Sequence, residues 1–286
     1  MKIAVTSASG QLGAAIVKAL VKELGKENVI AIARTTEKAK HLGVEVRKGD
    51  YTKREDFDLA LEGVDKVLLV SGMDEPSKRI QQHRNVIEVA KQNGVKTIVY
   101  TSIVGDEVNT AFSPVVQSNR QTEEDVRKSG LDWVIGRNGI YIEPDLEYID
   151  IYVKEGEIRN CAGDGNCAYT SREALGFAYA QMLLDDKHKG NTYNLVGEAI
   201  TQSQLAAAIN QVYKTNLKYT AVPVEEYKKE RQAALGDFIG TIIAGIYEGI
   251  QNGANDVPSD YEKATGLQHP SPLAMIENYQ QNHPRK

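Results

Sequence analysis

Only two cysteines occur in this chain of 286 residues, Cys161 and Cys167, in the stretch CAGDGNC. Their spacing fits neither a CxxC redox pair nor a zinc site, so both read as ordinary residues of a reduced, cytoplasmic protein. A basic excess is missing as well. The net charge is −5 and the isoelectric point is close to 5.7, which argues against a nucleic-acid partner. No apolar run approaches the roughly 18 residues of a membrane span. The opening MKIAVTSASG has one lysine and a very short apolar run, the mark of a first strand and not of a signal peptide. The five histidines are scattered, with His188, His269 and His283 in apparent loops. No metal-ligand cluster and no Ser/His/Asp grouping stands out. What remains is a globular chain, 41% apolar and 26% charged, long enough to bury a large core.

Short β-branched runs alternate with amphipathic helices through the first ~135 residues, the pattern of a doubly wound parallel sheet. Strands are expected at KIAVT (2–6), VIAIA (29–33), VEVRK (44–48), KVLLV (66–70), KTIVYT (96–101), DWVIG (132–136) and NTYNLV (191–196). Between the first two, Leu12, Ala15, Ile16, Ala19 and Leu20 recur at helical spacing and make one apolar face. A helix around 79–92 stops at Asn93-Gly94, and REALGFAYAQML (172–183) reads as another. The piece 139–169 breaks this rhythm, and helices follow at 201–213 and 237–251. In the last of these, Ile239, Ile242, Ile243, Ile246, Tyr247 and Ile250 form an apolar stripe. Such a stripe suits core packing, the cover of a cleft or a homodimer contact. The expected class is therefore α/β. A Rossmann-type doubly wound parallel sheet takes 1–138 plus 170–196, and a smaller, mostly helical C-terminal substrate domain takes 139–169 plus 197–286, with a substrate cleft between them.

The first strand runs into VTSASGQLG. In a dinucleotide turn the first glycine allows the tight turn, the second the approach of the pyrophosphate, and the third the packing of helix on strand. Gly10 and Gly13 hold the second and third places, whereas Ser7 stands in the first. A serine there is strained by about 1 kcal/mol if the turn needs a positive φ. Past the second strand, where folds that prefer NAD place an acid for the ribose hydroxyl, the chain reads IAIART. Arg34 at that place can pair with a 2′-phosphate, with Lys38 adding charge, which favours NADPH over NADH. Asp50, beside Tyr51 at the end of the third strand, is placed to meet an adenine amino group. Ser71, Gly72 and Met73 end the fourth strand, and Thr101 lies at the end of the fifth, the edge at which such sheets bind ligands.

The segments VTSASGQLG, AIAR, KGDY, GVDKVLLVSG, QQHRNVIEVAKQNGVKTIVYTS, WVIGRNGIY, AGDG and GNTYNLVG occur in an order and spacing that resembles the NmrA-like atypical short-chain dehydrogenases. The nearest groups in that family are the bacterial type 2 NAD(P)H:quinone oxidoreductases and the triphenylmethane reductases. QHRNV and RNGIY are the most discriminating pieces, and the likeness is specific to about residue 215. The resemblance implies an NADPH site built from Ser7, Ala8, Ser9, Gly10, Gln11 and Leu12, then Arg34, then Ser71 to Met73. It also implies a segment beside the nicotinamide, Asn138, Gly139, Ile140, Tyr141, Ile142 and Glu143. Where the family usually reads TGATGQLG, this chain reads TSASGQLG.

Short-chain dehydrogenases that interconvert carbonyls and alcohols use a Tyr-x-x-x-Lys pair. None of the 14 tyrosines has a lysine four residues on, and the stretch where the pair would lie, FSPVVQSNRQTEEDVRKSG, contains no tyrosine. A quinone or cationic dye needs no such pair, because it is already electrophilic and needs chiefly to be positioned. The expected function is thus NADPH-dependent reduction of a quinone or similar aromatic acceptor. Met73, His83, Asn138 and Tyr141 are the candidate cleft residues, and Tyr141 and His83 the candidate proton donors. His83 also suits a plain helix surface. The rival reading is an NADP-sensing regulator that acts through a protein partner without turnover, which the missing pair suits equally.

Overall fold

The structure is a computed structural model and describes residues 1–284. Its strands are β1 (Ile3–Val5), β2 (Val29–Ala33), β3 (Glu45–Lys48), β4 (Lys66–Leu69), β5 (Thr97–Ile103) and β6 (Asp132–Asn138), then β7 (Ile140–Tyr141), β8 (Glu157–Asn160), β9 (Cys167–Thr170), β10 (Asn191–Leu195), β11 (Ala199–Ile200) and β12 (Lys218–Ala221). Seven of them form one sheet in the order β10-β6-β5-β4-β1-β2-β3, and every neighbouring pair is parallel. Strands buried on both faces read as unbroken apolar runs. Accordingly all five residues of β2 are fully buried, while the edge strand β3, EVRK, is partly exposed. The strand order reverses between β1 and β4, which sets a crevice at the carboxyl edge of the sheet.

The helices are α1 (Gln11–Leu24), α2 (Arg54–Ala60), α3 (Pro76–Gln92), α4 (Ser113–Arg127), α5 (Glu143–Glu147) and α6 (Ile149–Glu155), then α7 (Arg172–Leu184), α8 (Gln202–Tyr213), α9 (Val224–Leu235), α10 (Asp237–Gln251), α11 (Tyr261–Thr265) and α12 (Pro272–Asn282). One face of the sheet is covered by α1 and α7 through Ile16, Leu20, Leu175 and Tyr179. Those two helices approach closely because Gly176 has no side chain: a Cβ there would lie 2.9 Å from the backbone of Ala15. The other face packs Phe57, Val86, Ala90 and Val126 against Ile30, Leu69 and Ile98. Among the described residues, no helix is long and apolar enough to cross a membrane.

A further core gathers Ile142, Leu146, Ile158 and Tyr169 from the excursion with Leu205, Ile209, Ile250 and Ile276 from the C-terminal part. Two small sheets, β11-β9-β7 and β12-β8, knit these pieces together. One stretch assigned to the smaller unit departs from it, since Tyr261 and Ala264 of α11 pack into the α1–α7 core. The apolar stripe of α10 is used inside the chain: Ile242 and Ile246 rest on Phe112 and Val116, and Ile243 and Tyr247 on Cys161 and Tyr227. Its first member, Ile239, is exposed, and Ile242, Ile243, Ile246 and Tyr247 are partly buried by these contacts. Cys161 and Cys167 are free and buried.

Between β5, β6 and α4 lies a buried charge. The fully buried Glu123 accepts from Ser102 Oγ at 2.6 Å, from Arg120 and Arg127 at 2.9 Å each, and from Arg137 at 2.7 and 2.8 Å. Burial pushes its carboxyl up, but the hydrogen bonds from Arg137 and Ser102 and the charge of Arg120 prevail and hold it down at about 2. A carboxylate with a depressed pKa stabilises the fold above its unfolded value, near 4.5, and that contribution is lost as the pH falls toward 2. The shift corresponds to about 3 kcal/mol. Denaturant unfolding at pH 7 and pH 3 should therefore show a marked acid destabilisation of the parent protein. Glu123→Gln should be weaker at pH 7 and much less sensitive to acid between those two values.

Candidate functional site

At the end of β1 the chain enters the turn through Ser7, whose φ of +49° lies in the left-handed region. The strain foreseen for a serine in the first glycine place is therefore present, at about 1–2 kcal/mol. Local hydrogen bonds hold the turn in shape. Gly10 N donates to Ser7 O at 2.9 Å and Ala8 N to Ile32 O at 3.0 Å. Gly13 is needed because a Cβ there would lie 2.5 Å from Ser7 O, and at Gly10 it would lie 3.3 Å from the same oxygen. The N-cap of α1 is Gly10, with no side-chain cap and no acid in the first turn. Side-chain caps close α7, α8 and α12, through Ser171, Thr201 and Ser271, and the other helices share the uncapped start of α1. The open N–H groups and positive end of α1, beside exposed Ser9, Gly10 and Gln11, suit the pyrophosphate of a dinucleotide. Ala8 and Leu12 are buried beneath them.

The Ser7 hydroxyl turns inward and donates to the Tyr51 hydroxyl at 3.1 Å. Tyr51 in turn donates to Val70 O at 2.6 Å, and Thr6 Oγ1 lies 2.6 Å from the same phenolic oxygen. Burial pushes this phenol up to about 12, so it stays neutral. Asp50 caps the loop before α2 by accepting from Thr52 N and Oγ1 at 3.0 and 2.8 Å. Burial raises its carboxyl, but the Thr52 bonds and the charges of Arg34 and Lys53 outweigh that and leave it low. Arg34 and Lys38 are exposed past the end of β2. The field of Arg34 also reaches Asp74, whose carboxyl is held low mainly by Gln82.

Beyond β4 the loop is fastened atom by atom. Ser71 N donates to Thr101 Oγ1 at 2.9 Å, and Ser71 Oγ to Asn119 Oδ1 at 3.1 Å. Gly72 N donates to His83 Nε2 at 2.9 Å, and the other ring nitrogen lies 2.9 Å from Thr122 Oγ1. His83 is fully buried, and burial together with the nearby Arg79 depresses it to about 3. Buried with both ring nitrogens engaged, it is not a surface histidine. It is a neutral prop for the loop, protonated on Nδ1 because Nε2 accepts. The inward face of α3, with Gln82, His83, Val86 and Ala90 buried at helical spacing, carried that signal in the sequence. Met73 is 87% exposed on the loop.

Past β6, Asn138 and Tyr141 do meet. Asn138, 4% exposed, receives the Tyr179 hydroxyl on Oδ1 at 2.6 Å and donates through Nδ2 to the Tyr141 hydroxyl at 3.0 Å. The Arg172 guanidinium carbon stands 5.4 Å from the centre of the Tyr141 ring. Gly139 lets the chain pass Ala168 O, which a Cβ would approach to 2.6 Å. Ile140 pairs with Tyr169 across β7 and β9. Ile142 N donates to Thr170 O at 2.9 Å, and Glu143 accepts from Arg172 N at 2.6 Å. Cavities of about 240 and 340 Å³ lie against α7 and α12, and neither is lined by Met73, His83, Asn138 or Tyr141. Of the other histidines, His188 is buried against the Tyr193 hydroxyl at 3.0 Å.

The strain at Ser7 can be isolated. Ser7→Ala and Ser7→Gly both remove the bond to Tyr51, but only alanine keeps a Cβ at positive φ. After allowing for glycine's greater freedom in the unfolded chain, Ser7→Gly should be more stable than Ser7→Ala by about 0.5–1 kcal/mol in denaturant unfolding.

A family of proteins described as NAD(P)H-binding matches residues 7–163. Quinone oxidoreductase 2 of Escherichia coli strain K12 is 32% identical over 256 residues, 88% of each chain. The Citrobacter sp. triphenylmethane reductase complexed with NADP(H) superposes with a TM-score of 0.89 at 32% identity, covering 98% of this chain and 99% of that one. An Escherichia coli NADPH-dependent quinone oxidoreductase complexed with NADPH gives 0.89 at 30% identity, covering 97% and 99%. Matched over more than half of its length by that family and alike to these reductases over nearly all of it, the chain belongs to the NAD(P)H-binding, NmrA-like family of oxidoreductases.

Proposed function

We propose that the chain is an NADPH-dependent reductase that passes hydride to a quinone or a similar electrophilic aromatic acceptor. The observation that carries this reading is the fixed charge of the carboxyl edge. His83 is neutral down to about 3, Tyr51 up to about 12, and Glu123 is ionised above about 2. An edge with no group of this set titrating near neutrality is poor at general acid–base work but well suited to positioning. It agrees with the missing Tyr-x-x-x-Lys pair, since α4 contains no tyrosine. The quinone and dye reductases that resemble this chain at 30–32% identity support the same acceptor class.

NADPH, when bound, supplies the hydride. The chain's own part begins at α1, whose open N-terminus receives the pyrophosphate, and at Arg34 with Lys38, which pair with the 2′-phosphate and set the preference over NADH. Ser71, Gly72 and Thr101 hold the neighbouring loop in one conformation. Tyr141 faces the acceptor. Asn138 Nδ2 already occupies one lone pair of its hydroxyl oxygen, so its proton is free to donate to an acceptor oxygen, with the final proton drawn from water. Met73, exposed on the opposite loop, adds an adaptable apolar contact.

Steady-state NADPH oxidation against a panel of quinones tests the reading. Turnover is expected, and Tyr141→Phe should lower kcat about tenfold, the worth of one hydrogen bond of roughly 1.4 kcal/mol, while leaving NADPH affinity within about twofold. Tight NADP binding with no turnover on any acceptor would instead establish the sensing regulator.

A further inference from the structure

Three asparagines of the chain precede glycine: Asn93, Asn138 and Asn252. Such pairs share one chemistry, because a glycine without a side chain lets its backbone nitrogen approach the amide carbon of the residue before it. The fold treats the three differently. Asn138 is 4% exposed and both ends of its amide are engaged, Oδ1 by the Tyr179 hydroxyl at 2.6 Å and Nδ2 on the Tyr141 hydroxyl at 3.0 Å.

Asn93 and Asn252 form a closely matched pair. Each caps the C-terminus of a helix, α3 and α10, with φ and ψ of −81° and 3° in one and −83° and 0° in the other. Each precedes a left-handed glycine, with φ of +72° at Gly94 and +84° at Gly253. Even the two backbone nitrogens are held alike, Gly94 N donating to Lys91 O at 3.2 Å and Gly253 N to Ile250 O at 3.0 Å. The difference lies in the side chain. Asn93 is half-buried and donates through Nδ2 to Val89 O at 3.2 Å. Asn252 is exposed, as are Gln251 and Gly253 beside it, and its amide has no hydrogen bond among the described residues. A free side chain can turn until Cγ meets the glycine nitrogen, whereas a tethered one must first break its bond.

We propose that Asn252 is a site of spontaneous deamidation, the one of the three that reacts in the folded protein. Gly253 N loses its proton to hydroxide and attacks Asn252 Cγ. The Cγ–Nδ2 bond breaks, and Nδ2 leaves as ammonia. Water then opens the succinimide ring. Cleavage of its bond to Cγ gives aspartate, and cleavage of its bond to the main-chain carbonyl carbon gives isoaspartate. Either product sets a carboxylate at the negative end of α10, one turn beyond Glu248 and close to exposed Asp256, where the helix dipole opposes it. Isoaspartate also lengthens the main chain in a turn that fastens α10 to β9, through Ala254 N to Gly249 O at 2.9 Å and Ala168 N to Asn255 O at 3.0 Å. Conversion therefore loosens the end of α10, whichever reaction the protein performs.

Incubation of the full chain at mildly alkaline pH, folded and in urea, followed by peptide mapping with mass spectrometry, tests this. In the folded protein Asn252 should lose its amide first, giving two product peptides of equal mass. Asn93 should lag about tenfold, the worth of its one extra hydrogen bond, and Asn138 should stay intact. In urea the three should react at similar rates, because each is then followed by the same unhindered glycine. On a native gel the aged protein should show a new band nearer the anode, which Asn252→Gln abolishes and Asn93→Gln leaves in place. Earlier or equal conversion of Asn93 or Asn138 in the folded protein would overturn the assignment. So would an Asn252 amide that survives while the urea sample reacts, or the same order of rates in urea.

Discussion

The phenolic oxygen of Tyr51 is the point on which the cofactor edge depends. It takes the hydroxyl of Ser7, lies against that of Thr6 and gives its own proton to the carbonyl of Val70. Three segments far apart in the chain are thereby held to one atom: the turn after β1, the loop after β3 and the end of β4. Thr6 extends the set by accepting from Val70 N at 2.9 Å. Because burial keeps the phenol neutral to about 12, the arrangement is insensitive to pH over the neutral range. It also places the left-handed Ser7 within a network that over-determines its conformation, the circumstance in which local strain persists.

The same economy of titration runs along the rest of the edge. His83, buried and neutral, receives the amide of Gly72. Asn119 gathers the hydroxyls of Ser71 and Tyr100 at 3.1 and 2.7 Å. Glu123 is locked among Arg120, Arg127 and Arg137. Each of these groups holds backbone or neighbouring side chains in place, and none has a proton to trade near neutrality. Such an edge suits the alignment of a cofactor and an acceptor more than acid–base work.

The architecture was legible because it is periodic. Strands buried on both faces read as apolar runs, and α1 and α10 announced themselves through one-sided apolar spacing. The glycine places in VTSASGQLG were legible because their spacing is set by the approach of helix to strand, which Gly13 demonstrates. What escaped the sequence were contacts between distant segments. Nothing local says that the Ser7 hydroxyl will point at Tyr51, or that Tyr261 will return to the first core. For His83 the sequence left a proton donor and a plain surface residue as alternatives, because one histidine on a polar helix carries no apolar signature, although Val86 and Ala90 beyond it lie on the same buried face. The stripe of α10 was visible, but its partners, Phe112 and Tyr227, lie elsewhere in the chain and turn it inward.

The central claim is that a turn with serine in its first glycine place still holds a phosphorylated dinucleotide. Titration of the purified protein with NADPH and with NADH, followed by nicotinamide fluorescence, meets it most directly. Saturable binding that favours NADPH, with the preference lost in Arg34→Ala, is the expected result. A folded protein that binds neither nucleotide would mean that Ser7 has closed the site, and the reductase reading would fall with it.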